Sequence, residues 1–104
     1  PHFTMFYRAE ALVALAEGKL DEAKLFALNA AESDPTSGEN FLVVGELHYA
    51  AKDLTQARAV LEDAVKAAKE NVRARYLLAR VLADQNDLAR SRIEALESLK
   101  LNPL

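Results

Sequence analysis

The sequence predicts an all-α fold of antiparallel helical hairpins stacked one on another, and three observations carry that prediction. Of the 104 residues 51% are apolar, with only 3 Gly and 3 Pro, and Ala, Leu, Glu, Lys and Arg dominate. These side chains lose little freedom in a helix. No run of β-branched or aromatic residues alternates with polar ones over the length of a strand, so strands have no support. The chain also repeats itself at a spacing of 34. Leu20, Leu54 and Leu88 form one row; Ala23, Ala57 and Ser91 a second; Ala30, Ala64 and Ser98 a third; Ala11, Gly45 and Ala79 a fourth. Tyr7, Phe41 and Arg75 share the register, and Pro35 and Pro103 lie two steps apart with Lys69 between them. A fixed period of this length marks one supersecondary unit used repeatedly.

Each unit reads helix, turn, helix. The expected helices are 3–17, 20–33, 38–51, 54–69, 72–85 and 88–100, giving one domain over 1–104 with units at about 4–37, 38–71 and 72–104. Turns inside the units fall at Glu17-Gly18-Lys19, Lys52-Asp53 and Gln85-Asn86-Asp87, and between units at Ser33 to Gly38 and Lys69 to Asn71. Asp53 with Gln56, and Thr36 with Glu39, have the spacing of a helix N-cap and its reciprocal partner. The small residues say how the hairpins close. Ala11, Gly45 and Ala79 on first helices would meet Ala23, Ala57 and Ser91 on second helices, where two helix axes approach most closely. Leu20, Leu54 and Leu88 would plug the closed end of each hairpin.

In these residues the chain resembles the tetratricopeptide repeat family, whose 34-residue unit carries an aromatic, a Leu-Gly pair, a second aromatic, then Ala, a bulky apolar residue and Pro. The middle unit supplies Phe41, Val44-Gly45, His48, Ala57, Leu61 and Ala64. The first supplies Tyr7, Ala11, Gly18 to Ala23, Ala30 and Asp34-Pro35; the third Leu78-Ala79, Leu82, Asn86-Asp87-Leu88, Ser91 and Leu101-Asn102-Pro103. The resemblance implies a right-handed α-solenoid. The sequence departs from the pattern at Glu10, where an apolar residue is usual, at Ala14 and Ala27, where a bulky one is, and at Arg75, where Tyr76 is expected to stand in for the aromatic.

Charge and motif content exclude several functions. With 13 basic and 16 acidic side chains the formal charge is −3, whereas nucleic-acid binding draws most of its affinity from a basic surplus. Basic residues concentrate in the second half, nine of the 13, six of them Arg, which suits an acidic peptide better than DNA. Zero cysteines remove disulfides, thiol nucleophiles and thiolate metal sites. No stretch reaches the roughly 20 apolar residues that span a bilayer, and the chain starts at Pro1 rather than Met, as an excised or matured fragment would. His48 is expected as a satisfied, half-buried histidine and His2 as a mobile terminal one. No metal-binding spacing, nucleophile elbow or phosphate-cradling glycine cluster accompanies them, and Glu62-Asp63 belong on a solvated face. No enzyme activity, metal or cofactor is expected.

What the resemblance implies instead is a protein-protein interaction scaffold, a chaperone-like adaptor, that holds a peptide or protein partner in a concave groove lined by the first helices. Carried over to this sequence, the groove would present Met5, Arg8, Ala9, Leu12 and Leu15, then Glu39, Leu42, Val43, Glu46 and Tyr49, then Arg73, Tyr76, Leu77, Arg80 and Asp84. The partner-binding residues are expected to be Arg8, Leu12, Leu42, Val43, Glu46, Tyr49, Arg73, Tyr76, Leu77 and Arg80. The anchor is expected between the second and third units, with Glu46 paired to Arg80, Arg73 the freer cation, and no comparable apolar cluster on the convex side. Some family members clamp a terminal carboxylate with Lys, Asn and Arg. The corresponding positions here are Arg8, Leu12, Val43, Arg73 and Leu77, which favour apolar anchoring with Arg support. The alternative is a structural module whose groove or end faces pair with other copies of the chain or with a missing segment of the parent protein. Without a capping helix, Ile93, Leu96, Leu99 and Leu101 should leave an apolar end face open to a homo-oligomer.

Overall fold

The computed structural model of the chain describes residues 2–102. They form six helices, α1 (His2–Ala16), α2 (Leu20–Ser33), α3 (Gly38–Ala50), α4 (Leu54–Ala67), α5 (Val72–Asp84) and α6 (Leu88–Leu101). The side chain of His2, expected to be mobile, and Pro103 of the third unit's motif lie outside the described residues. Among the described residues there is no strand, and the predicted boundaries hold to within one or two residues.

The three inner turns show why the units keep register. Gly18, Lys52 and Asn86, one period apart, all take positive φ, at 76°, 64° and 63°. The following N–H groups of Lys19, Asp53 and Asp87 return to the carbonyls of Ala14, His48 and Leu82 at 2.8, 2.9 and 2.8 Å. Each first helix therefore ends in the same left-handed closure, which satisfies carbonyls the helix would otherwise leave bare. The residues after it cap the second helices. Asp53 accepts from the backbone N–H of Gln56, and Asp87 from that of Arg90. At α3 the cap is Ser37, accepting from Asn40 N, and not Thr36, which bonds back to the Asp34 carboxylate after the Pro35 turn.

Lys19 holds the capping backbone of Asp53 and Asp87 (φ −90°, ψ 75°) without a capping side chain. Lys19→Asp is therefore expected to stabilise the chain by about 1 kcal/mol. Urea unfolding at unchanged slope measures it. No gain would mean the start of α2 is held by something other than its cap. The pair that Lys19 gives up, at 3.7 Å to Glu17 and half-exposed, contributes little.

Two buried clusters bind the units. In one, Ala11, Ala14, Ala23 and Ala27 of the first hairpin pack on Val43 and Leu47 of α3. In the other, Leu42, Ala57, Leu61 and Ala64 of the second pack on Ala74, Leu77, Leu78, Val81 and Leu82 of α5. Every first helix after α1 thus seats on both helices of the preceding hairpin. The expected small-residue crossing is met in the third unit, where Ser91 Oγ donates to Ala79 O at 2.7 Å. In the second, Gly45 and Ala57 are both buried, and a Cβ on Gly45 would lie 2.6 Å from Cδ2 of Leu61. The expected leucine plugs are corrected. Leu54 is half-buried against the cluster that includes α5, but Leu20 and Leu88, after the same turn, are exposed.

Polar groups stitch the remaining gaps. Asn40 is buried, its amide donating to the carbonyls of Ala30 and Asp34 at 2.9 and 3.1 Å while its oxygen accepts from Arg8. Arg75 needs no help from Tyr76, which is exposed. Its guanidinium pairs with the buried Glu94 at 2.9 Å and bonds the Lys69 carbonyl. Among the described residues no buried side-chain polar atom lacks a partner. As expected, Ile93, Leu96, Leu99 and Leu101 are exposed on α6.

Candidate protein-binding groove

The face formed by α1, α3 and α5 carries two adjoining hollows. The larger, about 560 Å³, is lined by Arg8, Leu12, Leu15, Ala16, Glu39, Leu42, Val43, Glu46 and Arg73. The smaller, about 250 Å³, is lined by Glu46, Tyr49, Ala50, Arg73, Tyr76, Leu77 and Arg80. Together they contain all ten residues singled out from the sequence. Their roles differ from expectation in three ways.

The first concerns the floor. Leu42, Val43 and Leu77 are buried, because each first helix leans on its predecessor, so they shape the bottom of the groove and are not bare anchors. The accessible apolar surface comes from Leu12 and Met5 at one end and Tyr76 at the other. The larger hollow accordingly sits beside the first and second units, not between the second and third.

The second concerns charge pairing. Glu46 binds Arg73, with Nε to Oε1 at 2.7 Å, and not Arg80. Register along a repeat does not fix the rotation between neighbouring units, and Arg73, about two turns earlier on α5, reaches Glu46 first. This pair stands between the two hollows. Its hydrogen bond, and then the Glu46 charge, raise Arg73 above its ordinary value, so Arg73 stays charged. With Arg73 largely exposed, the pair contributes at most about 1 kcal/mol. Besides Arg8, whose guanidinium donates to Asn40 Oδ1 at 3.2 Å, Arg80 is the second groove arginine without an acidic partner among the described residues. Its guanidinium lies 5.1 Å from the Tyr49 ring centroid and 6.0 Å from that of Tyr76. Tyr49 is fixed in turn by donating its hydroxyl to Asp84 at 2.7 Å. That bond, and then burial, raise its phenol above the ordinary 10.0. A folded value above the unfolded one means that the bond's stabilisation is present below about pH 10 and is lost as pH rises through the folded value.

The third concerns the opposite side, where no apolar cluster was expected. A cleft of about 390 Å³ opens between α2 and α3, lined by Leu20, Lys24, Ala27, Leu28, Val44, Leu47 and His48 among others. It exists because Ala27 is small: one period on, Leu61 fills the equivalent place. The half-buried His48 lies on its wall.

Among the described residues no group of His, Asp and Glu is arranged to hold a metal, and no helix is long and apolar enough to cross a membrane. What the geometry offers is two adjoining hollows with aromatic, aliphatic and cationic walls on a helical frame.

Stacked helical hairpins of this period, with such hollows along their first helices, define a helical-repeat interaction module. The profile of the tetratricopeptide repeat matches residues 42–103, and the chain belongs to that family. The fold is shared with the first tetratricopeptide domain of human RPAP3, at a TM-score of 0.92 and 17% identity over 99% of this chain and 81% of that one. It is shared with the tetratricopeptide domain of Arabidopsis OM64, at 0.91 and 14% over 98% and 84%. A mutant Thermobaculum terrenum O-GlcNAc transferase matches at 0.92 and 20% over 98% of this chain but 20% of the enzyme chain. No curated protein matches the sequence significantly. The family is in general a protein-protein interaction module, and its fold is typically a non-catalytic scaffold.

Proposed function

We propose that the chain holds a peptide segment of a partner protein in the groove of α1, α3 and α5, by apolar anchors and one acidic side chain. The observation that carries this reading is the placement of Arg80. A guanidinium stacked on Tyr49 and Tyr76, charged yet lacking an acidic partner among the described residues, is held ready for a ligand carboxylate. The aromatic faces beside it offer contact area at low entropic cost. Leu12 and Leu15, above the buried floor of Leu42 and Val43, accept an aliphatic side chain at the other end. The Glu46–Arg73 pair sets the distance between the two contacts, and a ligand acid can displace so weak a bridge.

Peptides selected from a random displayed library against the chain test the proposal. Bound sequences should share an apolar residue and an acid at a fixed separation. Tyr76→Ala should weaken a selected peptide by about 1–2 kcal/mol with helicity unchanged. Arg80→Ala should act mainly on association rate and salt dependence. Asp63→Ala, exposed on the far side of α4, is the control. Equal losses in the control and in Tyr76→Ala would place the site on another face.

A further inference from the structure

We infer that the two ends of the stack are the two halves of one joint, so that a second copy of the chain seats its α1 on α6 of the first, head to tail. This assembly is independent of the groove. The chain already contains the joint twice. Between the second and third units, Leu61 and the half-buried Val65 of α4 close on Ala74, Leu77 and Val81 of α5. Between the first and second, Asn40, Val43 and Leu47 of α3 occupy those receiving positions and are all buried. One period earlier, on α1, the same positions are Phe6, Ala9 and Val13, and they are bare: Phe6 is 55% and Val13 53% exposed. One period later than Leu61 and Val65, on α6, stand Ala95, exposed, and Leu99, 54% exposed.

Two features fit these faces to each other. Side-chain size is exchanged across the joint. Inside the chain bulky Leu61 shares a cluster with small Ala74; at the ends small Ala95 would meet bulky Phe6, so the joint fills to a similar volume. One charged contact of the inner joint can be repeated as well. Arg58 reaches from α4 to Oε1 of Gln85 at 3.2 Å on the next unit. Its counterpart on α6 is Arg92, and the counterpart of Gln85 in the first unit is Glu17, both exposed. The same reach gives Arg92 a carboxylate instead of an amide. Lys19 stands where the inner joint has Asp87, the second partner of Arg58; it lies 3.7 Å from Glu17 in a half-exposed pair, weak enough for Glu17 to be shared with Arg92.

A joint between unlike faces that repeats an internal rotation does not close on itself but extends. In sedimentation velocity the chain's mean mass should therefore rise steadily between about 10 µM and about 1 mM, without a plateau at two. Val13→Glu and Leu99→Glu, at exposed positions, should each be monomeric and keep the wild-type circular dichroism. Mixed in equal amounts, they should form a one-to-one dimer and stop there, since one intact α1 face and one intact α6 face remain. Arg92→Glu should weaken association about tenfold, and mixing it with Glu17→Arg should restore most of the loss. A wild-type chain monomeric throughout would leave the faces to further units or to another protein, and would overturn the proposal. So would a mixture of the two Glu variants that stays monomeric, or Val13→Glu still dimerising while Leu99→Glu does not, which would mean pairing of like faces.

Discussion

Gly45→Ala is expected to destabilise the chain by about 1–3 kcal/mol, although Ala is the better helix former by about 1 kcal/mol. The added Cβ would lie 2.6 Å from Cδ2 and 2.7 Å from Cγ of Leu61, and Leu61 is fully buried between α3, α4 and α5. With no free rotamer to escape into, either the hairpin opens or the third unit shifts. The other two units show how the conflict is resolved. The pair equivalent to Gly45 and Leu61 is Ala11 with Ala27 in the first unit and Ala79 with Ala95 in the third. Size lost on one helix is recovered on the other. Leu61→Ala alone should cost about 2–5 kcal/mol through the cavity it leaves. The double substitution, which gives the second unit the Ala–Ala pair of its neighbours, should cost less than the sum by on the order of 1 kcal/mol. Urea unfolding of the four proteins measures the coupling, and strict additivity would mean that the two residues do not oppose each other in the folded state.

Glu94→Ala and Arg75→Ala are each expected to cost about 3 kcal/mol, because each strands the other's charge in a buried place. Nη1 of Arg75 lies 2.9 Å from Oε1 of Glu94, and both side chains are nearly withdrawn from solvent. Arg75 also bonds the Lys69 carbonyl at 2.9 Å, which ties the link before α5 to the third hairpin. Replacing both partners is a different experiment. Arg75→Phe with Glu94→Leu restores the aromatic that Tyr7 and Phe41 supply in the other units, and should fall within about 1 kcal/mol of the wild type or above it. Chemical denaturation at unchanged slope distinguishes these outcomes. A single variant as stable as the parent would show that water reaches the pair.

The repeat was legible because its signals are local and additive. The closures at Gly18, Lys52 and Asn86 and the caps at Asp53 and Asp87 depend on a few neighbouring residues, and a fixed period states them three times. What involved two helices was less legible. Leu61 as the neighbour of Gly45 was hidden because the pair trades size, so neither row looks uniform by itself. Arg75 with Glu94 was hidden because residues 19 apart on antiparallel helices share no short-range pattern. In the groove, the ten expected partner-binding residues line the two hollows, while Met5, Ala9 and Asp84, also expected there, do not; a helix face follows from periodicity, but its limits do not. Depth and pairing did not follow. Val43 and Leu77 are buried against the preceding hairpin and Leu42 in the cluster shared with α5, and Glu46 meets Arg73 in place of Arg80, because both depend on the rotation between units, which a period of 34 leaves open. Asn40, buried and bonded to Ala30, Asp34 and Arg8, could have been noticed as a polar residue at a joint position that is apolar in the other two units.

An NMR titration of the isotopically labelled chain with a library-selected peptide tests the groove assignment most directly. Amide and side-chain shifts should change along α1, α3 and α5, with the Tyr76 ring and the Arg80 guanidinium among the largest movers, while α2, α4 and α6 stay within noise. Changes centred on the cleft of Leu28, Leu47 and His48, or on α6, would contradict it.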